Sequence, residues 1–156
     1  MTSSVEKRLA AHGFQLPQAP IATGNYLPFT RDGAVVYLAG QTNDVAGDPH
    51  LRGKVPVDHG LEAAQEAARI CALNLLACLK LATDGDLDCV DRCLSVRGYV
   101  NAAPDFALVP AVINGASDLF ALAFGEAGKH ARTSIGVATL PRNALVEVDA
   151  IFKLKT

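Results

Sequence analysis

Arg132 and Glu147 stand fifteen residues apart in the stretch HARTSIGVATLPRNALVEVDAIF, with Asp149 two positions beyond Glu147. A guanidinium is a planar two-pronged donor suited to a carboxylate or phosphate. A partly buried carboxylate can hold a water or take a proton. Arg132 opens a short apolar segment, and a Leu-Pro turn follows. From Leu145 to Leu154 the chain then alternates: Val146, Val148, Ala150, Phe152 and Leu154 fall on one face, Glu147 and Asp149 on the other. Such a period-2 strand needs a covered apolar side, and acids on the second face of a central strand need a reason of their own. Spacing alone leaves two readings open for each group. Arg132 is a solvated side chain or an anion clamp, and Glu147 pairs with an arginine or activates a water. Asp149, nearer the strand's end, reads as structural.

Two further residues are open in the same way. Asn114 in VINGASD is a solvent-facing helix residue or a ligand contact, and Tyr26 is a strand aromatic or part of a site. His12, His50, His59 and His130 are scattered, with no His-x-x-x-His or Cys-His pairing, so neither a metal site nor a nucleophilic triad is expected. No Gly-rich phosphate loop is present. Cys71 and Cys78 share one face of a helical segment among leucines, and Cys89 and Cys93 flank a helix-to-strand junction without ligand partners. All four read as reduced thiols.

The elements that must position these groups follow from local pattern. Ser3 to Glu6 matches a capping box and Gly13 ends a short helix from about Ser4 to His12, an N-terminal extension over about 1–16. Asp32-Gly33 between NYLPFTR and AVVYLAGQ predicts a hairpin. Ala34 to Gly40 is apolar at nearly every position, as in a strand covered on both faces. Thr42 to Val57 reads as a loop with one short strand near Gly53 to Val57, and Asp58 to Leu81 as a long helix with an apolar stripe of Ala64, Ala67, Ala68, Cys71, Leu75 and Cys78. Cys93 to Asn101 alternates, with Leu94, Val96, Gly98 and Val100 on one face. Asp105 is placed to cap a second helix that runs to Phe124 and stops at Gly125. Two helices between strands of one sheet fall on the same side of it under the right-handed crossover rule. The other side is left bare although Ala34 to Gly40 is apolar on both, which implies a second subunit.

With 156 residues, the chain fits one domain over 1–156. A net charge of -2 with mixed signs gives no footprint for nucleic acid or an anionic membrane. The longest uncharged runs fall short of a membrane span, and the charged N-terminus lacks an apolar signal core, so a cytoplasmic address is expected.

The assembled residues resemble the RidA (YjgF-like) family of reactive-intermediate deaminases, also labelled L-PSP endoribonuclease-like. ARTSIGVATLPRNALVEVDAIF is similar to its A-R-S-x-x-x-V-x-x-L-P-x-x-x-x-x-E-x-E-A-I signature, AGQ at Ala39 to Gln41 to its S-G-Q, and NAAPDF at Asn101 to Phe106 to the segment opening its last helix. The resemblance spans roughly Gly24 to Lys153. It implies an α+β chorismate-mutase-like fold with ferredoxin-like order, two helices on one face of a mixed sheet, and a homotrimeric barrel with sites between subunits. It further implies cofactor-free hydrolysis of 2-imino acids to 2-oxo acids and ammonia, with a small carboxylate or imine as the ligand. Arg132 would clamp the substrate, Glu147 would position water, and Tyr26, Gly40 and Asn114 would line the site. Ala39 stands where the family has serine, and Asn25 to Pro28 departs from its usual start, which marks a divergent branch.

Overall fold

The computed structural model describes residues 2–156. The first helix, α1 (Ser4–Ala11), carries the expected capping box: the Glu6 N–H donates to Ser3 Oγ at 3.2 Å and the Ser3 N–H to Glu6 Oε2 at 3.1 Å. Val5 and Leu9 bury its apolar side, and Asp88 accepts from the Ser4 N–H and hydroxyl, both at 2.7 Å, tying the extension down.

Two strands, β1 (Phe29–Asp32) and β2 (Val35–Thr42), form the hairpin around Asp32-Gly33, where Gly33 takes a positive φ of 57°. The predicted run NYLPFTR supplies only its last residues to β1, because Pro28 falls just before the pairing. A small hairpin of β3 (Asp44–Val45) and β4 (Asp48–Pro49) follows. The strand expected over Gly53 to Val57 does not form. Gly53 sits at φ 120°, outside extended L-residue backbone, and the pairing of the segment amounts to isolated bridges, Arg52 to Ala144 and Val55 to Ala102, rather than a ladder.

Helix α2 (Leu61–Ala82) buries the predicted stripe completely but begins after Gly60, which caps it, rather than at Asp58; Asp58 Oδ2 instead accepts from the Lys54 N–H at 2.7 Å. Strand β5 (Val90–Asn101) then crosses the sheet. The register slips between Cys93 and Ser95, so Cys93 joins the buried face and Leu94 turns outward, correcting the face assigned to Leu94. Helix α3 (Val109–Phe124) starts four residues later than Asp105: Pro110 fits its first turn, and Asp105 lies in the preceding turn. It ends at Gly125, φ 64°. Strands β6 (Ala131–Val137) and β7 (Val146–Leu154) complete the order β1-β2-β7-β5-β6.

Only β5 and β6 pair in parallel; β7 lies antiparallel between β2 and β5. The result is a mixed five-stranded sheet with α2 and α3 packed side by side on one face. Gly115 permits their contact, since a Cβ there would run into the backbone of Gln65. Beneath them Phe152 stacks edgewise on Phe120 with ring centres 5.5 Å apart, and Phe124 leans on it at 5.7 Å. Each fully buried phenylalanine contributes about 1.5–3 kcal/mol. Val146, Val148, Ala150, Phe152 and Leu154 all point into this core, as the alternation requires. The opposite face carries Tyr37, Leu94 and Ile135 exposed beside Arg97, Tyr99, Glu147 and Asp149. Among the described residues no helix is long and apolar enough to cross a membrane.

Candidate active site

Arg132 enters β6 directly after a tight 3-10 turn, Gly125–Gly128. It is in register with Val96, whose side chain is buried under α3, so Arg132 shares the helical face of the sheet. There its Nη1 donates to Asn114 Oδ1 at 2.8 Å and to Ser117 Oγ at 3.1 Å, both on α3. Asn114 and Ser117 lie three residues apart and therefore on one side of the helix. The same corner holds His130. Its Nδ1 is 2.7 Å from the Gly128 carbonyl and its Nε2 is 3.0 Å from Ser117 Oγ, while its ring meets the edge of Phe120 at 5.9 Å. Burial pushes the His130 pKa down; the Gly128 carbonyl opposes this, and the charge of Arg132 adds to it.

Glu147 belongs to a second group. On β7 it is in register with Thr42 of β2 and Tyr99 of β5, on the face without helices. The β2–β7 register slips between Leu38 and Gln41, where Ala39 and Gly40 bulge opposite the strand. Gly40 lies so close to the carboxylate that a Cβ on it would collide with Glu147 Oε1. Burial raises the Glu147 pKa, and the charges of Asp149 and Asp44 raise it further. Asp149 itself accepts from Arg97 Nε at 2.8 Å and from the Tyr99 hydroxyl at 3.1 Å, a surface pairing in keeping with its structural reading.

The start of β7 is fixed from below. Asn43, fully buried, accepts from the Leu145 and Val146 N–H groups at 3.0 and 3.2 Å and donates to the Leu51 carbonyl at 3.0 Å. Asn74 of α2 donates to the carbonyls of Thr42 and Asp44. These two amides hold the ends of β2 and β7 on which the Gly40–Glu147 approach depends.

Of the sequence-derived candidates, the fold thus joins Arg132 with Asn114 and Gly40 with Glu147, and keeps the two pairs on opposite faces of one sheet. Tyr26 joins neither pair: it is exposed, its N–H donates to the Gly24 carbonyl at 2.9 Å, and its hydroxyl accepts from the Thr23 N–H at 3.5 Å. Ser117, His130, Asn43 and Asn74 were not singled out from sequence for the site. The spacing of Ser117 from Asn114 and of His130 from Arg132 carries a signal for the first two; the buried amides carry none.

The four cysteines are free thiols. Burial raises Cys78 to about 11 and Cys93 to about 12, and Cys71 is also raised, so none of these three is a thiolate near neutrality. Among the described residues no group of three or more His, Cys, Asp or Glu side chains is placed to hold a metal.

The family model described as "YjgF/chorismate mutase-like, putative endoribonuclease" matches residues 6–154. The fold is similar to that of Atu1372 from Agrobacterium tumefaciens, a protein of unknown function: 43% identity, 97% of this chain and 92% of that one, TM-score 0.91. It is also similar to a structure from Shewanella oneidensis MR-1 described as a "putative endoribonuclease", with 32% identity over 96% of this chain and 99% of that one and a TM-score of 0.92. Protein TCP17 of Trypanosoma cruzi is 39% identical over 153 residues, which cover 96% of this chain and 94% of its own. The chain therefore belongs to the YjgF/chorismate mutase-like family, the RidA family that its C-terminal signature resembles.

Proposed function

We propose that the protein hydrolyses 2-imino acids, or the enamines that tautomerise to them, giving 2-oxo acids and ammonia, and that it does so as a homotrimer without a cofactor. The observation that carries the reading is the state of Arg132. Both of its protein partners are neutral oxygens on Nη1, and among the described residues it forms no ion pair. The Nε–H and Nη2–H edge is left as a two-pronged donor for a substrate carboxylate.

A water held by Glu147 would attack the C=N carbon. With the imine protonated from solvent to its iminium form, the carboxylate accepts the water proton as the C–O bond forms and the C=N π pair moves to nitrogen, producing a neutral carbinolamine. Return of that proton to nitrogen breaks the C–N bond, ammonia leaves, and loss of the hydroxyl proton completes the C=O group. The hydroxyl proton released in this last step returns the one taken up from solvent. In sum, imine and water become 2-oxo acid and ammonia. A raised pKa suits Glu147 to both proton transfers. Since imines hydrolyse readily in water, orientation by Arg132 and Glu147 supplies what the reaction needs.

One chain holds these groups on opposite sheet faces, so the complete site requires Arg132 of one copy and Glu147 of the next. The bare face bearing Tyr37, Leu94 and Ile135 supplies the surface on which copies would close. A ribonuclease reading is disfavoured by the net charge of -2, which provides no track for a phosphate backbone.

The test generates an imine in situ with an amino-acid oxidase and measures 2-oxo acid formation, semicarbazide trapping the imine that survives. Arg132→Ala should lower the catalysed rate at least about tenfold, because a charge-assisted contact contributes about 1.5–3 kcal/mol. Equal rates for wild type and Arg132→Ala above the uncatalysed reaction would remove the clamp. Wild type that binds a 2-oxo acid but accelerates no imine would make the protein a carboxylate-binding module.

A further inference from the structure

The corner that holds Arg132 has a fixed hydrogen-bond polarity that the proposed function does not use. The Gly128 carbonyl can only accept, so the His130 nitrogen 2.7 Å from it, Nδ1, carries a proton. In the neutral ring Nε2 is then an acceptor, and the Ser117 hydroxyl 3.0 Å away must donate to it. With its proton committed, Ser117 Oγ presents lone pairs to Arg132 Nη1 at 3.1 Å. The chain of bonds therefore runs one way, from Arg132 to Ser117 to His130 to the Gly128 carbonyl. Asn114 Oδ1, 2.8 Å from Nη1, takes the other Nη1 proton.

We infer that Ser117 and His130 are positioning residues for Arg132, a directed relay that locks Nη1 against α3 and turns the Nε–H and Nη2–H edge toward the carboxylate of the 2-imino acid. The role in substrate binding rests on the function proposed above; the relay itself does not. Without it, Asn114 alone would hold Nη1, and a flexible side chain would have to be ordered each time a ligand binds. Cooperative polarisation along the three bonds also strengthens the last one, to Arg132.

The relay depends on an unprotonated Nε2. A proton there makes Nε2 a donor to Ser117 Oγ, turns the serine proton away, and sets a second positive charge beside Arg132. The groups facing His130 are Ser117 and the Phe120 ring from α3, the Gly128 carbonyl from the turn, and Arg132 from β6. Asp118 and Lys129 line the same hollow, with Lys129 paired to Glu126 at 2.6 Å. Burial and Arg132 together keep the ring neutral down to a pH below the usual histidine value. Loss of carboxylate affinity should begin only under more acid conditions.

The test has two arms. In the ligand-free protein, ring nitrogen NMR should show His130 as the Nδ1–H tautomer, with an Nε2 signal that moves in Ser117→Ala and stays in Ser117→Thr. In the second arm pyruvate binding is titrated by calorimetry. Ser117→Ala should weaken it about fivefold, which corresponds to about 1 kcal/mol, with Ser117→Thr close to wild type. The weakening seen in wild type as pH falls through the His130 titration should be absent in His130→Gln, whose amide oxygen can still accept from Ser117. An Nε2–H tautomer, or pyruvate affinity unchanged in Ser117→Ala while Arg132→Ala loses it, would overturn the relay. Wild type that binds no pyruvate, with the tautomer as described, would instead overturn the site reading and with it the relay's role in binding.

Discussion

Arg132 and Glu147 face opposite sides of the same sheet, on strands separated by β5. Arg132 is in the row of Val96 and Ala150, and Glu147 is three rows along, beside Tyr99. No rotamer of either side chain can pass through the strand between them, so joint action on one substrate needs two copies.

Complementation follows from this geometry. In the proposed homotrimer, Arg132→Ala and Glu147→Gln should each have little activity alone. Unfolded together and refolded, they should recover activity, since random mixing leaves about one junction in four with both native groups. Recovery of about a quarter of the wild-type rate in the imine assay is the expected outcome. No recovery, with mixed trimers demonstrated by mass, would place both groups in one chain's site.

The approach of Gly40 to Glu147 makes a second variant informative. In Gly40→Ala the new methyl would occupy the carboxylate's position, forcing Glu147 to another rotamer. Since displacement of a reacting group by about 1 Å costs up to about a hundredfold, kcat should drop by at least about tenfold. The far-ultraviolet circular dichroism should match wild type, because the bulge backbone has no positive φ that alanine could not adopt.

How much of this was legible depends on whether a feature is local. The alternation from Leu145 to Leu154 is a property of one strand with one covered face, and it placed Val146 and Glu147 on their observed sides. The capping box at Ser3 and the hairpin at Asp32-Gly33 are likewise complete within a few residues. Leu94 was misplaced because a register slip inverts the parity of a strand, and slips arise from pairing with β7, not from the strand itself. Asp105 was misplaced because Pro110 offered a competing helix start, and α3 begins at Val109, four residues beyond Asp105. The pairing of Ser117 with His130 requires the turn after α3 to fold back by a set amount, which no periodicity encodes. The family resemblance brought Arg132 and Asn114 forward together and left this third partner out of view.

Asn43 offers a test of what holds β7 in place. Asn43→Ala would leave the N–H groups of Leu145 and Val146 and the Leu51 carbonyl buried without their partner. Each such group costs about 1–3 kcal/mol, so a loss of about 3 kcal/mol or more is expected. Urea unfolding should show a lower midpoint with an unchanged slope. A loss under about 1 kcal/mol would mean that water replaces the amide.

The acid limb of kcat should belong to Glu147. In the proposed mechanism Glu147 accepts the water proton and works only when ionised, so turnover should fall as pH drops through its pKa in the substrate complex. Burial, then Asp149, then Asp44 raise that pKa, which puts the limb above 4.5, the value for an unperturbed glutamate. A substrate carboxylate paired with Arg132 brings no positive charge to Glu147 and so preserves the direction. Asp149→Asn removes the second cause while leaving burial in place. Its limb should therefore move toward lower pH without reaching the unperturbed value, while Arg97, whose side chain is mostly exposed, loses its ion pair and Tyr99 keeps an amide oxygen to donate to. The His130 relay acts on carboxylate affinity, so its titration belongs to KM and leaves the kcat limb alone. Measuring kcat and KM separately against pH in wild type, Asp149→Asn and His130→Gln resolves the two groups. A kcat midpoint that moves in His130→Gln and is unchanged in Asp149→Asn would transfer the proton-accepting role from Glu147 to the corner around Arg132.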